Sequence, residues 1–191
     1  MSDFEIIQRV GPLQAWNRLK ESTACVLRVA AVQCAWNSDS LVQRETLSRG
    51  VRLAAEAGAR VVLLQELPLS PYFCHSPDVS NALDAYGEDI ETGPTVTLAR
   101  ELASELGIFV HASLYERTVD DRGFNTAICV DSAGRLLSRT RKTHIPEFEY
   151  YHEDRYFEPA DADCAVTEVA GAMFAFPTCW DQWFPELARS L

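Results

Sequence analysis

The feature that most limits the architecture is an alternation of strand, helix and strand that occurs twice along the chain. Val26 to Cys34 is a short apolar run with β-branched residues at intervals, which suits a buried strand. Ser38 to Ser40 offers a helix start, with Ser40 and Gln43 in capping-box spacing, and Leu47, Val51, Ala54 and Ala55 share one face up to a stop at Gly58. Val61 to Gln65 is a second buried-type strand. A crossover helix returns the second strand in the direction of the first, so this order predicts parallel pairing. Gly93 and Pro94 open the next helix, Leu98, Leu102 and Leu106 form its stripe, and Gly107 closes it before a strand from Ile108 to Leu114. Two more strands, Phe124 to Val130 and Leu136 to Thr140, flank a β-hairpin turn from Asp131 to Arg135. The expectation is a layered α/β sandwich mixing parallel and antiparallel strands.

Length and charge narrow what such a fold could serve. The 191 residues suit one domain with a short appendage, here a leader over 1–25 and a domain over 26–191. Lys and Arg number 17 against 28 Asp and Glu, a net charge of −11 that argues against nucleic acid and anionic membranes as partners. No run approaches the roughly 18 apolar residues of a membrane span, and Pro12 interrupts the N-terminus before a signal peptide could form, so a soluble, cytoplasmic protein is expected. The leader itself reads as partly helical around Pro12 to Lys20. None of the six cysteines sits in a C-x-x-C pair, and the four histidines lack ligand spacing, so neither disulfides nor a metal or other cofactor is expected.

Three places could carry chemistry. Glu66 follows the strand ending at Gln65, at a carboxyl end where α/β sheets bind ligands, with Pro68, Pro71, Tyr72 and Phe73 beyond it. Apolar neighbours would raise its pKa, as a general base near neutral pH needs; an ordinary exposed loop acid is the alternative. Strand alternation puts Arg135, Arg139 and Arg141 on one face and carries Lys142 on the other with Leu136 and Thr140. A lone ammonium there could stabilise an oxyanion, whereas a snorkelling surface lysine is the plainer reading. Cys179 ends an apolar strand, and Pro185 opens a short helix beyond it; nucleophiles are presented at such corners, where helix amides can depress a thiol pKa. A buried, inert thiol is the alternative, and a Cys–His pair using His144 or His152 is a rival nucleophilic arrangement. Residues 147–163 hold seven acids against Arg155, which a solvated loop would explain.

Together, LLQELPLSPYF around Glu66, RKTHIP around Lys142 and CWDQWFPE from Cys179 resemble the three signature regions of the nitrilase, or carbon-nitrogen hydrolase, superfamily, in the family's order. HEDRYFEP and CWDQWFPE are most similar to the branch of N-carbamoylputrescine amidases and β-ureidopropionases. The resemblance implies a four-layer α-β-β-α sandwich and a thiol amidohydrolase that cleaves a C–N bond of an N-carbamoyl amine or linear amide without a cofactor. It also supplies roles: Cys179 as nucleophile, Glu66 as proton shuttle, Lys142 at the oxyanion, and Glu153 ordering Lys142 and the substrate. Tyr72 and Trp180 would touch substrate, the Trp180 amide as a second oxyanion donor. The acidic window would suit a cationic polyamine substrate, and the family's habits imply a homo-oligomer.

Departures from the family pattern set a second expectation. Ala160 stands where the family usually has glycine, and Pro177 precedes the nucleophile in what should be a central strand, where it removes a ladder donor. The family also continues beyond the nucleophile's helix, whereas this sequence ends at Leu191, so the sandwich is expected to be C-terminally truncated. The rival to the amidohydrolase is a non-catalytic remnant or association module, with an open sheet edge and uncovered apolar surface.

Overall fold

A computed structural model describes residues 4–8, 27–161 and 164–191. Most of the leader, including the expected helix around Pro12 to Lys20, lies outside the described residues. The core is a five-stranded sheet in chain order, built from β1 (Val29–Val32), β2 (Val61–Leu64), β3 (Phe109–Arg117), β4 (Gly123–Val130) and β5 (Leu136–Arg141). The first three strands pair in parallel and the last three are antiparallel. Helices α1 (Ser40–Glu56) and α3 (Pro94–Leu106) make the parallel crossovers, with a short α2 (Ala82–Tyr86) between β2 and α3. This is a mixed α/β sheet with α1 and α3 packed on one face.

Strand alternation divides the core. Val62, Leu64, Val110, Ala112, Leu114 and Ile128 face Leu47 and Val51 of α1 and Leu98 and Leu102 of α3. On the opposite face Val61, Ala127 and Cys129 pack with Val169 and Phe176. Val169 belongs to a small hairpin of β8 (Thr167–Val169) and β9 (Ala172–Phe174). A second hairpin, β6 (Glu147–Phe148) and β7 (Tyr151–His152), follows β5, and α4 (Pro185–Ser190) closes the described chain.

Local details correct the sequence expectations in three places. The N-cap of α1 is Asp39 rather than Ser40: its carboxylate accepts from the amides of Leu41 and Val42, which a serine one position later cannot reach. The strand expected to lead into Cys179 stops at Phe174, so Pro177 lies in no ladder and takes no donor from one. Ala160 has no positive φ, and its amide donates to the Lys142 carbonyl at 3.0 Å, so a side chain there meets no backbone penalty. Gly107 does take the left-handed conformation that ends α3, at φ +65°.

Among the described residues no helix is long and apolar enough to cross a membrane. Nor do any three or more His, Cys, Asp and Glu side chains form a group that could hold a metal ion.

Candidate active site

Glu66 sits just beyond β2, where the chain turns sharply: Leu67 has φ +48° and its amide donates to the Ser113 hydroxyl at 2.8 Å. That turn swings the carboxylate over the end of the sheet. Its surroundings are polar rather than the apolar pocket expected, because the Asn125 side-chain amide donates to Oε1 at 2.7 Å and Lys142 Nζ donates to the same oxygen at 3.1 Å.

Lys142 follows the last residue of β5, on the face opposite Arg139 and Arg141 as alternation requires. It is 1% exposed, so the snorkelling reading does not hold. Its ammonium donates to Glu153 Oε2 at 2.7 Å as well as to Glu66. Burial works against the charge, yet the two carboxylates outweigh it and push the lysine pKa up. The basic cluster on the other face is not free either: Arg139 and Arg141 both converge on the buried Glu116, and Arg135 pairs with Asp131.

Glu153 is fully buried, in a single 3₁₀ turn after β7, and also accepts from the Tyr72 hydroxyl at 2.8 Å. The acidic window is therefore more than a solvated loop, since one of its members lies against Lys142 and another, Glu158, pairs with Arg122.

Cys179 begins a 3₁₀ turn, Cys179–Trp183, with φ +49°, an uncommon conformation for a side-chain-bearing residue. It is open to solvent, and its thiol feels the charges of Glu66 and Lys142. The depressed thiol pKa expected from helix amides does not occur. Partial burial and the Glu66 charge raise it to about 11, against the pull of Lys142. Glu66, Lys142, Glu153 and Cys179 thus converge.

Around them runs a chain of rings. Tyr72 lies 6.0 Å from Tyr151, Phe148 lies 4.7 Å from Tyr151 and 5.2 Å from Trp180, and Trp180 lies 5.9 Å from Trp183.

Two site residues escaped the sequence reading. Asn125 is completely buried in β4; its carbonyl accepts from the Lys142 amide at 2.8 Å while its side chain holds Glu66. A polar amide in a strand buried at every position was the available signal. Asp181 is 2% exposed, and its Oδ1 accepts from both the backbone amide and Nδ1 of His144, at 2.9 and 2.8 Å. His144 Nδ1 is thereby held by Asp181.

The carbon-nitrogen hydrolase family matches residues 28–191. The chain is 34% identical over 166 residues to an N-carbamoylputrescine amidase of Solanum lycopersicum, covering 87% of this chain and 54% of that protein. It is also 34% identical over 163 residues to a citrullinase of Francisella tularensis, covering 85% and 56%. A carbon-nitrogen hydrolase from Helicobacter pylori G27 superposes with a TM-score of 0.75 at 24% identity, over 86% of this chain and 55% of that one. The chain spans about half the length of the relatives it matches.

Proposed function

The chain belongs to the carbon-nitrogen hydrolase family, and from that premise we propose that it is a thiol amidohydrolase acting on a ureido group at the end of an alkyl chain, with N-carbamoylputrescine the preferred candidate. The observation that carries this reading is a buried ammonium bonded to two carboxylates, with a solvent-open thiol close enough for Glu66 and Lys142 to act on its charge.

Ureas are poor electrophiles with poor leaving groups, so nucleophile, proton carrier and oxyanion donor must converge. Glu66 takes the Cys179 proton as sulfur attacks the carbamoyl carbon. Lys142 and the Trp180 amide stabilise the tetrahedral oxyanion, and Glu66 then passes the proton to departing ammonia. Water activated by Glu66 cleaves the thiocarbamate and returns the Cys179 thiol, and the released carbamic acid falls apart to the amine and CO2. Glu153 holds Lys142 in place and Asn125 holds Glu66.

The substrate assignment is supported by the rings of Tyr72, Tyr151, Phe148 and Trp180, with the exposed carboxylates Glu147 and Glu149 on β6 and its turn. Aromatic faces beside carboxylates favour an alkylammonium tail. The names of the amidase and citrullinase relatives point to substrates that carry a ureido group. Cytoplasmic location and homo-oligomeric assembly belong to the same proposal.

The test is ammonia release from N-carbamoylputrescine, citrulline and N-carbamoyl-β-alanine in parallel. The expected order places N-carbamoylputrescine first and N-carbamoyl-β-alanine last, with no turnover in Cys179→Ala. Undiminished turnover in that variant would sink the mechanism.

A second reading, an association module, is favoured by the exposed Val29 on edge strand β1 and by exposed Met173 and Trp183. It predicts dye binding to apolar surface and an ill-defined unfolding transition. A compact monomer with one sharp melt overturns it.

A further inference from the structure

Resting on the reading that Cys179 and Lys142 act together, we propose that Asp181 and His144 are positioning residues that clasp the loop carrying Lys142 to the turn carrying Cys179. Asp181 lies two residues after Cys179, and His144 two residues after Lys142. The carboxylate spans both. Its Oδ2 accepts from the Thr178 amide at 3.0 Å, and the Thr178 side chain accepts in return from the Asp181 amide, a capping box that encloses the left-handed Cys179. Its Oδ1 accepts from the main chain and the ring of His144. An ionised carboxylate only accepts, so the ring proton sits on Nδ1. The far side of the ring contact is fixed by Phe184, stacked at 3.6 Å and 7°.

Physically, one buried carboxylate satisfies three donors from two segments that are 34 or more residues apart in sequence. Removing its ring contact leaves the His144 main-chain amide alone to hold the loop to that carboxylate and loosens the clasp. Lys142 then moves away from Cys179, and the thiolate loses the cation that favours it.

The experiment compares His144→Phe, which keeps the stack on Phe184 but lacks the donor, with His144→Asn, whose side-chain amide can restore it. Both are made in the full chain, with Asp181→Ala as a third variant. The readout is the rate at which iodoacetamide alkylates the Cys179 peptide at pH 8, followed by mass spectrometry with thermal unfolding as the folding control. We expect His144→Phe to slow alkylation about ten-fold, equivalent to one unit of thiol pKa, and His144→Asn to return within about two-fold of the parent. kcat on N-carbamoylputrescine falls in parallel while KM is held.

A folded His144→Phe variant alkylated at the parental rate or faster overturns the clasp. If Asp181→Ala fails to fold, the His144 pair decides. Alkylation needs no turnover, so a parent chain inactive on every ureido substrate refutes the proposed function and leaves this test intact.

Discussion

At the site Cys179 and Glu66 oppose each other electrostatically. The Glu66 charge raises the thiol pKa, so Glu66→Gln should make Cys179 more acidic and faster to alkylate at pH 8 while ammonia release is lost. A residue that merely activated the thiol by its charge would move both readouts together. Lys142→Met leaves Glu153 buried beside Glu66 without its cation and should cost about 3–5 kcal/mol in urea unfolding. Adding Glu153→Gln should recover much of that stability and none of the turnover. Glu66, Lys142, Glu153 and Cys179 were legible because each sits in a distinctive local string. Asn125 and Asp181 were not, because what makes them matter is a partner 59 and 37 residues away.

Among the elements, α1 shows where local signals and packing diverge. Its apolar face was readable, yet Gly50 lies inside the helix, where propensity alone would favour alanine by about 1 kcal/mol. A Cβ there would meet Val32 Cγ1 at 2.6 Å and the Phe4 ring at 3.0 Å. Gly50→Ala should therefore lower stability by about 1–3 kcal/mol despite the better helix former, measured as a shift in the urea midpoint. The short β6 and β7 and the 3₁₀ turn at Cys179 were beyond periodicity, since neither is long enough to show a repeat. The hairpin from β4 to β5 was readable because Asp131 and Gly134 carry its turn: Gly134 takes φ +78° and Asp131 accepts from the amides of Ala133 and Arg135.

For the molecule as a whole, the sheet face opposite the helices carries an acid-sensitive point. His111 on β3 stacks on Phe176 at 5.1 Å, and its buried Nδ1 has no hydrogen-bond partner among the described residues. Burial pushes its pKa down to about 4. The folded value lies below the unfolded one of about 6.5, so neutral His111 contributes fully above pH 6.5 and that contribution is lost as pH falls towards 4. The loss amounts to about 3 kcal/mol over that interval. His111→Leu should therefore show a smaller drop in unfolding free energy between pH 7 and pH 4.5 than the parent, and an equal drop would refute this assignment.

The amino-acid sequence by itself determined the α/β class, the parallel crossovers, the β4–β5 hairpin and the identity of the converging side chains, because these follow from periodicity, turn chemistry and short motifs. Tertiary structure alone decided the environment of each. It set Glu66 among polar partners, kept Lys142 charged under burial, raised the Cys179 thiol, and engaged His144 with Asp181. Ionisation depends on what surrounds a group, and here every neighbour that matters comes from another part of the chain.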